Sequence, residues 1–186
     1  MSMKRIGLFC AGVVAIVVIN ACKLFEPHYE LDVYLENHSQ EDFCWQIPGR
    51  FKPVKVGEMP SQPWHWVTSG KSNHQPVEED ATRSQPGFER WYDSLIDDSV
   101  SVYIYDMQAR TAPKWDLETH EKYLRFRYDL SVYDLEQLRM NHGGEIVFSV
   151  PPAAEMKDMN MTPSYDEIQQ MIENGEIKLI DNEDSN

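Results

Sequence analysis

Three stretches between Val100 and Pro151 alternate apolar and polar residues with period two, and helical stretches separate them. That order calls for a sheet with helices packed across it. Val100, Val102 and Ile104 fall on one face, with Ser101, Tyr103 and Tyr105 on the other. Both faces are largely apolar or aromatic, which predicts an interior strand. Leu124, Phe126, Tyr128 and Leu130 alternate with Arg125, Arg127 and Asp129, predicting a strand with one dry and one wet face. Ile146, Phe148 and Val150 repeat the pattern, and Pro151-Pro152 ends it because proline has no N–H to give to a ladder. Gly143-Gly144 supplies a turn just before. Ser131 is placed to cap a helix over Val132–Met140, with Asp134 in its first turn and Val132, Leu135 and Leu138 as the face to bury. The spacing leaves open a parallel crossover and an α+β excursion. A further short helix is predicted near Trp115.

Flanking segments extend this nucleus. Tyr29–Asn37 places Tyr29, Leu31, Val33 and Leu35 on one face, a half-buried strand. Asn37–Gln40 reads as a turn, and Asp42–Ile47 as the returning hairpin partner. From Pro48 to Asp98 the texture changes, with Pro48, Pro53, Pro60, Pro63, Pro76 and Pro86 among the chain's 11 prolines. Loops are expected there, with short strands near Val54–Val56 and Trp64–Val67, a polar mobile stretch over Gly70–Gln85 and a short helix over Phe88–Ile96. Near the C-terminus, Ser164 and Glu167 form a capping box ahead of the stripe Tyr165, Ile168, Met171 and Ile172. Asn174-Gly175 ends that helix, Glu176–Ile180 resembles a strand, and Asp181–Asn186 is an acidic tail. Together these features predict one small α+β domain: a mainly antiparallel sheet, two to four short helices and long Pro-rich loops. The boundaries are 1–21 for a signal peptide, 22–28 for a tether, 29–150 for the α+β domain and 151–186 for a helix–strand extension with its tail.

The N-terminus carries the most specific signal for location. Lys4 and Arg5 precede the apolar run Ile6–Ile19, and Asn20-Ala21-Cys22 follows. The run falls short of the roughly 20 residues that span a bilayer and fits the h-region of a secretory signal. Cys22 after Ala21 resembles the end of a bacterial lipobox, here Ile19-Asn20-Ala21-Cys22. Lipidation of Cys22 would form a diacylglyceryl thioether and an acylated amine, and several chains at about 0.8 kcal/mol per buried methylene make a stable anchor. The competing readings are an uncleaved anchor helix and a plain secretory signal. The expected location is the bacterial cell envelope, facing the periplasm or lying on the cell surface.

Charge and cysteine usage narrow the chemistry. A formal charge of −14 and the absence of a Lys/Arg cluster argue against a nucleic-acid partner. Cys10 lies in the signal and Cys22 at its end, so Cys44 is the one thiol of the mature domain and no internal disulfide is expected. Cys44, between Phe43 and Trp45, reads as a small buried hydrophobe rather than a nucleophile. His28, His38, His65, His74, His120 and His142 show no zinc spacing. Met156, Met159 and Met161 read as gap-fillers. Glu78-Glu79-Asp80 and Asp97-Asp98 read as solvated acidic surface, and Arg127 with Asp129 as a structural ion pair. No catalytic residue, metal or cofactor is assigned. Trp64 and Trp66 have two readings: alternation places both on one strand face as core, or they form an aromatic platform for a sugar ring.

The central block also resembles a lipoprotein family common in Bacteroidota and without an assigned activity. The residues that carry the likeness are Leu35–Ser39, Trp91–Leu95, Val102–Asp106, Trp115, Tyr123 and, above all, Arg127-Tyr128-Asp129-Leu130-Ser131 followed by Asp134-Leu135 and Leu138. The likeness runs from about Asn37 to Pro151, leaving the last 35 residues as an addition. It implies an envelope lipoprotein and brings no catalytic residues. Exported proteins of such bacteria often carry O-glycans at Asp-Ser/Thr followed by a small or apolar residue, which points to Ser94 and Ser99. The leading expectation is a lipid-anchored, non-catalytic envelope protein with a binding or structural role, its partner a glycan or another envelope protein. A glycan-binding accessory lipoprotein using Trp64 and Trp66 and a small hydrolase are the rivals.

Overall fold

The computed structural model describes residues 29–47, 59–79 and 99–180. The α+β expectation holds, with two sheets instead of one. The smaller sheet has the order β4-β1-β7. Its central strand β1 (Tyr29–Asn37) runs antiparallel to β4 (Ser72–Glu79) and parallel to β7 (Ile146–Val150). The larger sheet has the order β3-β2-β5-β6-β8 and is antiparallel throughout. Its strands are β2 (Phe43–Gln46), β3 (His65–Val67), β5 (Ser99–Asp106), β6 (Leu124–Ser131) and β8 (Asn160–Thr162). Among the described residues there are three α-helices: α1 (Leu117–Tyr123), α2 (Val132–Asn141) and α3 (Tyr165–Glu173).

One core lies between the sheets. Val33 and Leu35 of β1 and Ile146, Phe148 and Val150 of β7 join Phe43 and Trp45 of β2, Val100, Val102 and Ile104 of β5, and Phe126, Tyr128 and Leu130 of β6. Leu135 and Leu138 of α2 complete it from the side. Each fully buried side chain of this kind contributes about 1.5–3 kcal/mol, so the alternation in these strands is what drives the two sheets together. Phe43 and Phe126 meet edge-on at 6.0 Å between ring centroids. The Tyr128 hydroxyl crosses the core and donates to the Ser149 carbonyl at 2.9 Å, a direct polar tie between the sheets. Burial of that phenol pushes its pKa well above the usual range.

The helix ends follow the chemistry of their first turns. The Ser131 hydroxyl accepts from the Asp134 amide while the Asp134 carboxylate accepts from the Ser131 amide at 2.8 Å, a reciprocal cap. Ser164 and Glu167 repeat the arrangement at the start of α3, and the bonds from Ser164 hold the Glu167 carboxyl below its usual pKa. Gly175, with φ of +74°, turns the chain out of α3. Helix α2 leaves the larger sheet at Ser131 and delivers the chain to β7 in the smaller one, so it is neither a crossover within one sheet nor a surface excursion.

Three expectations are corrected. Asp42–Ile47 does not pair with Tyr29–Asn37: β2 sits between β3 and β5. All four residues of β2 are buried, which demands an interior place in a sheet covered on both faces. The turn that carries the chain across is pinned by its two buried residues, with Asn37 Oδ1 accepting from both the amide and the hydroxyl of Ser39 at 3.0 and 2.8 Å. The polar stretch after Gly70 is no loop, since Ser72–Glu79 pairs residue for residue with Tyr29–Glu36. Pro76 is tolerated because β4 is an edge strand, with one side that needs no donors. Glu176–Ile180 makes a single bridge, Ser39 with Leu179, in place of a strand. The expected elements at Val54–Val56 and Phe88–Ile96 lie outside the described residues.

The segment after Pro152 closes the core. Met156, Met161, Ile168 and Ile177 are buried in it, and Met159, Tyr165, Met171 and Ile172 pack against it. Strand β8 pairs with β6 through Arg127–Thr162, Tyr128–Met161 and Asp129–Asn160. The methionines thus fill the joint between sheet and C-terminal helix, where an unbranched side chain adapts to an irregular gap.

Candidate functional site

The outer face of the larger sheet is where the chemistry-bearing residues gather. The strand register lines up Trp66, Cys44 and Tyr105 in one row, then Gln46, Tyr103, Arg127 and Thr162, then Ser101, Asp129 and Asn160. The aromatic end is roofed by a 3-10 turn over Met107–Thr111 and by α1. His120 of α1 reaches down from this roof, buried, with its Nδ1 3.0 Å from the Tyr105 hydroxyl. Tyr103, Tyr105 and Trp115 surround the imidazole with ring centroids 5.6, 5.6 and 6.0 Å away. Desolvation is the main cause that lowers the His120 pKa; the Arg127 charge lowers it further and Glu121 opposes. Burial raises the Tyr105 pKa, so the phenol stays protonated and can donate to a neutral ring.

Cys44 has no nucleophilic character here. It is fully buried, and its thiol lies 3.2 Å from the Asp106 carbonyl. Burial pushes its pKa up to about 12, which leaves almost no thiolate at neutral pH. Asp129 accepts from Ser101 Oγ at 2.6 Å and from Arg127 Nε and Nη2 at 2.9 Å each, so the expected structural ion pair is present. The polar row on β6 is consequently less wet than alternation implied, because Asp129 itself is buried. Among the described residues no group of three His, Cys, Asp or Glu side chains is arranged to hold a metal ion.

The tryptophans are the largest departure from the core reading. Trp64 is 59% exposed and Trp66 44%. Strand β3 is a short edge, and alternation sends Val67 into the core and the His65 ring to within 5.8 Å of Trp45. Trp66 is therefore turned to the outer face, opposite Cys44. Trp64 does not share that face: its ring lies 3.9 Å from the ring of its neighbour His65, an overlap impossible for adjacent residues that alternate along a strand. Two separate indole surfaces thus flank one sheet edge. The Asn73 side chain donates to the Trp66 carbonyl at 2.7 Å and satisfies one acceptor on that edge.

Arg110, which no local pattern singles out, is the fourth member of this edge. Its guanidinium lies 4.1 Å from the Trp66 ring centroid in a cation–π contact. The Gln62 amide holds the turn that carries it, donating to the carbonyls of Ala109, Arg110 and Ala112 at 2.8, 3.1 and 3.2 Å. Trp115 Nε1 donates to the Pro60 carbonyl at 2.9 Å and ties the same two segments again. The segment before the tryptophans and the arginine turn are thus tied together at several points.

Comparison with known proteins gives no matching family model, no matching curated protein and no matching solved structure. The site has to be read from its own chemistry. Ser99 opens β5, half-buried, directly before buried Val100. Cys22 and Ser94 lie outside the described residues, as do Asp80, Asp97 and Asp98. No helix among the described residues is long and apolar enough to cross a membrane.

Proposed function

We propose that this chain is a non-catalytic binding protein, held at the bacterial cell envelope by lipid on Cys22, that takes carbohydrate at the Trp64–Trp66 edge. The observation that carries the ligand class is the exposure of both indoles at the end of the larger sheet. An exposed indole costs a soluble protein apolar surface in water, and sugars recover that cost by stacking their C–H faces on it. Trp66 and Trp64 are each backed by a neighbouring group, Arg110 and His65, which orders the ring before a ligand arrives. The anchor rests on the basic–apolar–cysteine order of residues 4–22 and on the likeness of the central block to envelope lipoproteins.

Catalysis finds no such support. The carboxyl groups with shifted pKa among the described residues, Asp116 and Glu167, are lowered by Lys114 and by Ser164, not raised as a general acid requires. Titration of the protein with a broad oligosaccharide panel, followed by tryptophan fluorescence, is the test. Binding that is weakened at least about tenfold in Trp64→Ala and Trp66→Ala, with thermal stability nearly unchanged, is the expected result. A flat response across the panel ends the carbohydrate reading. Mass spectrometry of the membrane fraction tests the anchor: an acylated N-terminus at Cys22, lost in Cys22→Ala, is expected.

A further inference from the structure

We infer that the sugar taken at this edge is acidic, a carboxylate-bearing uronic acid residue read by Arg110; the inference rests on the carbohydrate reading above. Arg110 is exposed and rests against the Trp66 ring, and among the described residues it has no carboxylate partner. That is unusual in a chain of 31 acidic and 17 basic side chains, where a free cation has many acids to choose from. Other cations among the described residues are already engaged: Arg125 with Glu41 and Asp106, Lys114 with Asp116, Arg127 with Asp129.

Stacking on an indole uses the flat face of a guanidinium and leaves the N–H fork at its rim free. That fork matches the two oxygens of a carboxylate. Gln62 holds the backbone around Arg110, and the contact with the Trp66 ring places the guanidinium beside the indole, which reduces the freedom left to lose on binding. An anionic ligand approaching a chain of net charge −14 is repelled over most of its surface, and an arginine without a carboxylate partner among the described residues gives a local field that offsets this repulsion. A sugar packed against the exposed edge of the Trp66 indole, with its carboxylate at the rim of the Arg110 guanidinium, uses both halves of the unit.

The experiment is a calorimetric titration of the full chain with alginate, polygalacturonate and glucuronate-containing oligomers. The same oligomers with their carboxyl groups reduced to alcohols serve as comparators. The charged forms are expected to bind roughly tenfold more tightly, the usual order for one charge-assisted contact. Arg110→Gln should erase that preference and its salt dependence while leaving the residual affinity for the reduced oligomers. Trp66→Ala should weaken both forms. Equal affinity for charged and reduced oligomers, unchanged in Arg110→Gln, overturns the assignment to acidic sugars and leaves the carbohydrate site standing. Absence of binding to every oligomer, charged or neutral, overturns both.

Discussion

His120 is the residue whose environment has the clearest consequence in solution. The folded protein holds it neutral in a pocket of aromatic rings, and its proton affinity there is below that of the unfolded chain. In the unfolded state its pKa is about 6.5. Below that value the unfolded chain takes up a proton that the folded one resists. The stabilisation is therefore complete above about pH 6.5 and is lost as pH falls through the lower folded value. Thermal unfolding at pH 7.5 and pH 5 should show a larger loss for the wild type than for His120→Phe, which keeps the ring volume and cannot titrate. Equal losses in the two proteins would assign the acid sensitivity elsewhere. Arg110 makes a different point at the same scale. It meets Trp66 across a long stretch of sequence, so no periodicity or spacing could announce the contact, whereas the Ser131 and Ser164 caps were legible because each is closed within four residues.

At the scale of elements, legibility followed burial pattern. Strands β5, β6 and β7 and helices α2 and α3 stand where alternation and three-to-four spacing place them, because one face of each is in the core. Strand β4 was missed because its sequence is polar and contains Pro76; its reason to be a strand is the backbone ladder to β1, which composition does not record. Partner choice was also hidden. Alternation gives a strand its faces, not its neighbours, and β2 went to the other sheet. The tryptophan alternation misled because Trp64 sits just outside the strand that Trp66 belongs to. The C-terminal segment supplies Met156, Met161, Ile168 and Ile177 to the core and covers the edge of β6. Four such side chains at about 1.5–3 kcal/mol each amount to roughly 6–12 kcal/mol, comparable with the whole stability of an ordinary domain. Truncation after Pro152 should give a chain without a cooperative thermal transition. A sharp transition within a few degrees of the full-length value would show the segment to be dispensable.

At the scale of the whole molecule, the position of β1 matters most. It is the first described element and the middle strand of its sheet, bonded to β4 on one side and β7 on the other. Six residues separate Cys22 from Tyr29, a reach of at most about 20–25 Å when extended. A lipid on Cys22 would keep the domain close against the bilayer. Any drag on the domain, from flow or from a bound polymer, would then return to the membrane through β1. Force along that strand loads its two ladders in shear, so many hydrogen bonds must fail together. The opposite end is built otherwise: after buried Ile177 the last described residues are held by one bridge, Ser39 with Leu179, and by the Gln40 side chain on the Leu179 carbonyl, with no long ladder to load in shear. In single-molecule pulling the N-terminal handle should sustain the higher force before the first rupture, and the reverse order would rule this out. A lipid on Cys22 would thus moor the molecule at its strongest point.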